Sequence, residues 1–308
     1  MGEEDHPNYT ESQLSGRLEA FQQYRSLLFS IAYRMLGSWA DAEDLLQETF
    51  IRWQQSRETD IDSPRAYLVT IISRLCINHL QSARVKREEY VGQWLPEPVL
   101  TNPTEHTPAT PPIDDSLSMA FLVVLERLTP VERAVFLLRD VFDYDYSEIA
   151  RMVGQSEPNC RQLLHRARQH VASVRPRFEA SPEQQETLLK RFLEASSRGD
   201  MDGLLALLSK DIVLYADGGG KAVAVPNPIH GAENVARFIL RAPKKFIPAN
   251  VLRRFVQING QPGIVSYADG RPFSTFTIDI ADGQVRAIYI VTNPEKLAHL
   301  PPMPAAPC

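Results

Sequence analysis

Residues 128–168 read LTPVERAVFLLRDVFDYDYSEIARMVGQSEPNCRQLLHRAR, and this stretch contains the start signals of consecutive helices. Thr129 and Glu132 have the spacing of a capping box, because a Thr hydroxyl accepts a hydrogen bond from the N3 amide while a Glu at N3 reaches back. Ser147 is predicted to cap a second, short helix that ends at Gly154. Short helices joined by a tight glycine turn are typical of a helix-turn-helix unit.

The next helix, predicted from Ser156 to about Val174, combines an apolar stripe with an arginine-rich face. Its inner stripe consists of Cys160, Leu163, Leu164 and Ala167. In a helix-turn-helix unit the helix that follows the turn, here the one that starts at Ser156, enters a major groove with its amino end. The residues expected to contact base edges or phosphates are Glu157, Asn159, Arg161, His165, Arg166 and Arg168. The alternative is a solvated arginine-rich helix.

Residues 17–90 show helical periodicity almost throughout. Gly37 and Ser38 are expected to end one helix, and Asp41 to open the next. The stripe of this next helix that is predicted to face the core consists of Ala42, Leu46, Phe50 and Trp53. The opposite face, which suits docking onto a basic helical partner, carries Asp41, Asp44, Glu48 and Ile51. Charges alone also fit an ordinary solvated face.

A long helix is predicted from Pro64 to about Ala83, with the proline near the first helical position, where its missing N–H is not needed. Cationic and amide groups gather toward its carboxy half and just beyond: Arg74, Asn78, Arg84, Lys86 and Arg87. Such groups neutralise phosphates and bond to exposed base edges. We therefore expect a second DNA-binding element here. A basic helix end that complements its own dipole is the alternative.

Six prolines lie between residues 95 and 112, which disfavours regular helix or central strand and favours an extended connector.

The period of the apolar residues changes after Ser181, which opens a second capping box. Helices are predicted at about 182–197, 201–208 and 231–241, and strands at 212–216, 251–259, 263–268, 273–280 and 284–291. Asp-Gly pairs at 269–270 and 282–283 supply hairpin turns. Antiparallel strands with helices on one side make an α+β domain.

Charge is distributed unevenly along the chain. The net charge is −5, yet residues 1–60 carry eleven Asp and Glu against five Lys and Arg, whereas residues 151–177 carry six Arg against one acid. The three cysteines are widely spaced without a CxxC pair, which argues against a disulfide framework or a zinc site and fits a reducing compartment. The acidic, polar amino end is unlike a secretory signal, so we expect a cytoplasmic protein without a metal or other cofactor.

Several strings in the chain resemble RNA polymerase sigma factors of the extracytoplasmic-function class. They are AEDLLQETFIRW at 42–53, SPRAYLVTIISRLCINHLQSARVKRE at 63–88, LTPVERAVFLLRD at 128–140, YSEIARMVG at 146–154 and NCRQLLHRAR at 159–168. The resemblance implies that residues 17–92 bind core polymerase and the −10 promoter element, and that residues 115–177 bind the −35 element. The partners implied are promoter DNA and the clamp and flap of core polymerase. A loop at about 56–63 would hold a flipped −10 base.

Three further strings are WLPEP at 94–98, DGGGK at 217–221 and NPEKL at 293–297. They resemble one subgroup of these sigma factors that carries a SnoaL-like, NTF2-type α+β domain, here residues 181–300. Residues 93–114 would then be a proline-rich linker. The residues implied in regulation between domains are Trp94, Leu95, Pro96, Glu97, Pro98, Asp217, Gly218, Gly219, Gly220, Lys221, Asn293, Pro294 and Lys296. We expect the glycine loop and the carboxy segment to contact the linker and the amino-terminal domain. A plain surface hairpin at the glycines is the alternative; they lack the order of a phosphate loop.

Two other functions remain to be weighed against a sigma factor. The α+β domain could be a cyclase- or isomerase-type enzyme or could bind an unknown small ligand, in a pocket whose polar candidates are Tyr215, Asp217, His230 and Tyr289. The helical part could instead be a plain helix-turn-helix repressor. A repressor would not need the acidic face at Asp41–Glu48, so the sequence favours a non-enzymatic sigma factor with two all-α domains followed by an α+β domain.

Overall fold

The computed structural model describes residues 11–56, 61–88, 90–101, 117–172, 181–241, 248 and 250–303, with backbone alone at 11–14, 83–88 and 182. These residues divide into two compact units. The first contains the described residues up to 85 and from 124 to 172. The second contains the remainder, so residues 93–101 of the predicted linker belong with the carboxy-terminal domain, as do residues 90–92, which the sequence assigns to the amino-terminal domain.

The amino-terminal helices are α1 (Glu11–Leu36), α2 (Trp39–Gln55) and α3 (Pro64–Glu88). Gly37 separates α1 from α2 with a left-handed φ of 66°, and Ser38 accepts a hydrogen bond from the Asp41 amide at 3.2 Å. Because Ser38 provides the cap, α2 begins at Trp39 and not at Asp41 as predicted. α3 begins at Pro64 as predicted and extends beyond the predicted end.

The second helical group consists of α4 (Met119–Leu125), α5 (Pro130–Phe136), a π-helical turn (Leu137–Val141), α6 (Tyr146–Val153) and α7 (Glu157–Ala172). It contains the predicted capping box, which opens its helix α5. The Glu132 amide donates to the Thr129 hydroxyl at 3.4 Å, and the Thr129 amide donates back to the Glu132 carboxylate at 3.1 Å. These reciprocal bonds satisfy two amides that the start of α5 would otherwise leave unpaired.

The cap predicted for α6 is wrong. The helix begins after Asp145, whose amide donates to the Glu148 carboxylate at 3.1 Å, so Ser147 already lies inside the first turn. Glu148 stands three residues after Asp145, which is the capping-box spacing. Gly154 ends α6 as predicted, with a left-handed φ of 69°, and Ser156 accepts from the third residue of α7 at 3.4 Å. The helix-turn-helix geometry therefore forms at the predicted place.

The helices of the second unit are α8 (Pro182–Arg198), α9 (Met201–Leu207), α10 (Ala232–Arg241) and α11 (Pro294–Leu297). Three of them, α8, α9 and α11, also start at side-chain caps. The predicted capping box at Ser181 is confirmed, because its hydroxyl accepts from the Gln184 amide and its own amide donates to the Gln184 side chain at 2.9 Å. Asp200 caps α9 by accepting from the Gly203 amide at 2.8 Å.

One six-stranded sheet forms the centre of the second unit. Its strands are β1 (Leu208–Asp217), β2 (Ile229–His230), β3 (Leu252–Ile258), β4 (Gln261–Ala268), β5 (Arg271–Ala281) and β6 (Gln284–Val291). The spatial order is β2-β1-β6-β5-β4-β3. The predicted Asp-Gly turns are confirmed, since Asp269, Gly270, Asp282 and Gly283 all have positive φ, as two-residue hairpin loops of this kind require.

The expectation of a purely antiparallel sheet is wrong. β1 and β6 run parallel, with Leu214 opposite Ile288 and Tyr215 opposite Tyr289. The strands β3 to β6 form a hairpin-connected meander. β1 pairs with β6, the last strand of this meander, although β2, α10 and the rest of the meander lie between them in the chain. The short strand β2 was not predicted.

The sheet is covered on both faces. Along β6, Ile288 packs into the core with residues of α8, α9 and α10, so the helices lie on one side as predicted. The alternate β6 residues Ala287, Tyr289 and Val291 pack in a second cluster with Leu95 of the connector and Met119 of α4. The connector is therefore part of the folded domain. Among the helices of the described residues, none is long and apolar enough to cross a membrane.

Candidate functional sites

The inner face of α2 fixes the orientation of its acidic face. Ala42, Leu46 and Trp53 are buried as predicted, whereas Phe50 is half-buried and packs 4.8 Å from the Phe21 ring. The Trp53 indole N–H donates to the Arg17 carbonyl at 2.9 Å, so the carboxy end of α2 is tied to α1. The opposite side of α2 must consequently face outward.

That opposite side is acidic but not purely so. Asp44 and Ile51 are exposed, and 46% of the Ile51 surface is accessible. Asp41 and Glu48 are half-buried; Glu48 accepts a hydrogen bond from Arg52 at 2.7 Å, and Asp41 lies 3.6 Å from the His79 imidazole. An exposed isoleucine among carboxylates offers both apolar contact and charge to a basic partner.

Arg74 on α3, a predicted DNA contact, already has partners inside the first unit. Its Nε donates to the Met152 carbonyl at 2.9 Å and its Nη2 to the Arg151 carbonyl at 2.7 Å. These carbonyls belong to the last turn of α6, where helix carbonyls lack intrahelical donors and the dipole is negative. Asn78 is exposed one turn further along. The side chains of Arg84, Lys86 and Arg87, and residues 57–60 of the predicted base-binding loop, lie outside the described residues.

The apolar stripe of α7 is buried as predicted, at Cys160, Leu163, Leu164 and Ala167. Burial raises the pKa of the Cys160 thiol. Arg161 and His165 are exposed on the other side, and Arg161 pairs with Glu157 at 2.9 Å. Asn159 donates to the Gln155 side chain at 2.7 Å.

Two further arginines of α7 are held by acids from the preceding helices. Arg168 makes two hydrogen bonds to the Asp140 carboxylate, at 2.9 and 2.7 Å, and these raise its pKa. Arg166 lies 3.6 Å from Glu132, the residue that completes the α5 capping box. The sequence did not single out Asp140, because it stands 28 residues before Arg168 and no local spacing links them.

In the second unit, Asp217 at the end of β1 is fully buried and is surrounded by donors. Its carboxylate accepts from the Tyr90 hydroxyl at 2.6 Å, the Leu95 amide at 2.8 Å, the Gly219 amide at 3.0 Å and the Lys296 ammonium at 2.7 Å. A buried carboxylate is tolerated only when paired in this way. Burial and the bond to Asp217 raise the pKa of the Tyr90 hydroxyl.

Lys296 completes the attachment of the connector. Its ammonium also donates to the Leu95 carbonyl, so Asp217 and Lys296 together bind both backbone groups of one connector residue. The same ammonium lies 4.1 Å from the Trp94 ring centroid and 5.1 Å from that of Tyr90, within cation–π range.

The glycine loop packs too closely for larger residues. A Cβ on Gly219, where φ is +57°, would lie 2.2 Å from the Asn293 side-chain nitrogen, and Asn293 in turn donates to the Tyr90 hydroxyl at 3.0 Å. Lys221 at the end of the loop pairs with Glu295 next to Pro294. The loop is thus packed against the carboxy segment, so the plain surface-hairpin alternative does not describe it.

The connector is bound at a second point, by His299. Its Nε2 lies 2.8 Å from the Pro98 carbonyl, and its Nδ1 lies 3.9 Å from the Glu97 carboxylate. Connector residues 95–99 are all buried. The sequence did not point to His299 or Tyr90, because both act through contacts more than 120 residues away.

Three of the four polar candidates for an enzymatic pocket, Tyr215, Asp217 and Tyr289, lie on the same face of the paired strands β1 and β6. Asp217 accepts hydrogen bonds from Tyr90, Leu95, Gly219 and Lys296. His230 is exposed on β2 and pairs with Val213, which precedes Asp217 by four residues on β1. Tyr215 and Tyr289 stack on each other with centroids 5.5 Å apart. Among the described residues, no group of three or more His, Cys, Asp or Glu is arranged to hold a metal ion.

Comparisons with known proteins agree with this architecture. Residues 20–85 match the family model "Sigma-70 region 2", and residues 118–171 match "Sigma-70, region 4". The chain is 36% identical to the ECF RNA polymerase sigma factor SigJ of Mycobacterium tuberculosis over 293 residues, 91% of this chain and 93% of SigJ. It is 32% identical to the probable ECF sigma factor SigI of that organism over 280 residues, 90% of this chain and 93% of SigI.

The crystal structure of M. tuberculosis SigJ matches with a TM-score of 0.75 at 34% identity, over 91% of this chain and 98% of that one. The chain therefore belongs to the extracytoplasmic-function RNA polymerase sigma factors. The predicted family and fold class, helical sigma domains followed by an α+β domain, are confirmed. The enzyme alternative is not favoured, because the relatives are sigma factors.

Proposed function

We propose that this sigma factor binds core RNA polymerase through the outer face of α2, reads promoter DNA with α3 and α7, and is regulated by its own α+β domain through the connector. The family to which the chain belongs supports core polymerase and promoter DNA as its partners. We expect it to act in the cytoplasm, where the polymerase works.

The polymerase contact is proposed for Asp41, Asp44, Glu48 and Ile51. The buried stripe of α2 leaves this face outward, and Ile51 is exposed although it is apolar. A face that combines carboxylates with an exposed isoleucine suits a basic helical partner such as the clamp of the largest subunit. Opposite charges also steer association and suppress wrong partners.

The promoter contacts are proposed for two helices. The amino end of α7 presents Glu157, Asn159 and Arg161 for the bases of the −35 element, and Arg166 and Arg168 lie further along for phosphates. Asn78 and the basic carboxy end of α3 would bind the −10 strand. Arg74 would join them through N–H groups other than those that donate to the α6 carbonyls.

The regulatory proposal rests on one observation. Asp217 accepts a hydrogen bond from the Leu95 amide, and Lys296 donates one to the Leu95 carbonyl. The connector joins α3 to α4. α3 is part of the proposed −10 reader, and α4 precedes the helices that form the proposed −35 reader. A domain that binds the connector in its core restrains the separations that the two elements can adopt. We infer a regulatory and not a catalytic role, because Asp217 could act as a catalytic base only after release from its four donors.

The test is transcription by sigma-free core polymerase supplied with the full-length chain. We expect initiation at a defined set of genomic start sites, with a full-length Lys296→Met variant changing the output from those sites but not their positions. Failure of the wild-type chain to direct any initiation would overturn the sigma function. Equal output from the two proteins would overturn the regulatory role and leave the sigma function standing.

A further inference from the structure

Tyr146, the first residue of α6, supports the arginine nearest the amino end of α7. The guanidinium carbon of Arg161 lies 4.8 Å from the centroid of the Tyr146 ring. Glu157, one turn earlier on α7, holds the same guanidinium through a 2.9 Å bond to Nη2. Two contacts from different elements therefore orient a side chain that is exposed.

The Tyr146 ring is itself fixed by the segment before α6. The guanidinium carbon of Arg139, in the π-helical turn, lies 5.3 Å from the ring centroid. Arg139 in turn donates to the Tyr144 carbonyl at 2.8 Å and lies 3.4 Å from the Asp145 carboxylate. The position of the ring is thus set by the scaffold of the helix-turn-helix unit and not by α7.

Arg161 and Arg168 are held in different ways, so they differ in how many N–H donors they can offer to a base. Arg168 directs two of its nitrogens at Asp140, the fork geometry that an arginine would also need for a guanine. A contact with a ring face uses no N–H donor, so Tyr146 can orient Arg161 and leave donors for a base edge. An arginine ordered before binding also loses less side-chain entropy when DNA arrives.

We propose that Tyr146 is a specificity-determining positioning residue, which presents the Arg161 guanidinium to one base pair of the −35 element without touching that base pair. The inference rests on the proposed function of α7 as the −35 reader. It assigns base preference to a residue of the first helix of the helix-turn-helix unit, outside the recognition helix.

The experiment measures −35 base preference with holoenzyme assembled from core polymerase and the full-length chain. Promoters active in the start-site mapping are randomised over the −35 element, and transcripts are sequenced for wild type, Tyr146→Leu, Tyr146→Phe, Arg161→Ala and the Leu/Ala double variant. Loss of Arg161 should remove a preference of about tenfold at one base pair, the order expected for a bidentate arginine contact. Tyr146→Leu should lower the preference at that same base pair about threefold, the order of an exposed cation–π contact.

Tyr146→Phe retains the ring and should behave as wild type, which separates the ring contact from any role of the hydroxyl group. In the double variant, Tyr146→Leu should have no further effect, because the arginine that it positions is gone. If Arg161→Ala removes the preference but Tyr146→Leu leaves it intact, or lowers output equally for every base, the inference is wrong and the proposed reading by α7 survives. If wild type itself shows no −35 preference, the proposed function of α7 fails first.

Discussion

The Lys296 ammonium lies 2.7 Å from the Asp217 carboxylate, in a place where 7% of the lysine side chain and none of the aspartate side chain is accessible. Such a buried pair need not stabilise a protein relative to apolar residues, but removal of one partner leaves a buried charge uncompensated. Both members also bind Leu95. The ion pair therefore controls how firmly the connector is attached.

Lys296→Met should loosen the connector. Loss of one partner of a buried pair costs about 3–5 kcal/mol, so the opening that exposes the Leu95 amide should become far more frequent. Hydrogen–deuterium exchange of a peptide covering residues 93–101 measures this, with an α2 peptide as internal reference. Lys190→Met is the matched control, because Lys190 pairs with Glu186 on the exposed surface of α8 and contributes little there.

Addition of Asp217→Asn to Lys296→Met should restore part of the protection, because the double variant no longer buries an unpaired charge. Exchange in Lys296→Met that matches the Lys190→Met control would contradict the role assigned to the pair.

The attachment at His299 should depend on pH. Burial lowers the pKa of this imidazole below its ordinary value of 6.5, although the Pro98 carbonyl opposes the shift and the Glu97 carboxylate also faces the ring. The unfolded or detached form then binds a proton more readily than the folded form, so the stabilisation is present above pH 6.5 and is lost as the pH falls below it. Exchange at residues 97–101, corrected for intrinsic rates, should rise on acidification.

His299→Gln is the control for this effect, since a glutamine amide can still donate to the Pro98 carbonyl but does not titrate. The pH dependence should be absent in this variant. An equally steep rise in wild type and His299→Gln would show that another group is responsible.

Charge reversal on α2 should weaken binding of core polymerase. Asp44→Arg together with Glu48→Arg changes only side chains outside the buried stripe, so the helix should stay folded while affinity falls about tenfold or more through like-charge contact with a basic partner. Titration of labelled chain with core polymerase measures the affinity. Glu194→Arg, on the exposed side of α8, should bind as wild type. Equal affinity for all three proteins would exclude this face as the docking surface.

Local signals in the sequence were sufficient for the helix starts and the hairpins. The capping pairs at Thr129 and Ser181 depend on residues three positions apart, and the Asp-Gly turns depend on adjacent residues. Each formed as predicted. The prediction of Ser147 as the α6 cap was wrong, because Asp145 and Glu148, on either side of it, form the capping pair instead. In each case the interactions that decide the structure join residues within one helical turn or one hairpin loop.

Contacts between distant residues could be anticipated only in part. The three motifs around Trp94, Asp217 and Asn293 were expected to meet, yet the sequence did not reveal that one carboxylate would collect four donors. The parallel pairing of β1 with β6 was missed because alternating burial along a strand fixes its faces and not its direction. Likewise, nothing near Arg74 in the sequence indicated carbonyl partners more than 70 residues away.

Arg74 links a contact within the fold to the proposed DNA contact. Its guanidinium donates from Nε and Nη2 to the Met152 and Arg151 carbonyls, and the other N–H groups of its five can still bind a phosphate. Arg74→Ala should therefore have two effects, one on the fold and one on DNA binding. The carboxy end of α6 loses its donors and should exchange amide hydrogens faster. Promoter binding by the holoenzyme should weaken, and its salt dependence should become shallower by about one unit of log–log slope, as expected when a cation no longer neutralises one phosphate.

Arg52→Ala, which removes an exposed cation from α2, serves as the control for removal of one positive charge. It should leave both the exchange of α6 amides and the salt slope as in wild type, because its partner Glu48 lies on its own helix. An Arg74→Ala protein that opens α6 but keeps the wild-type salt slope would make Arg74 a residue of the folded arrangement alone and remove it from the −10 interface.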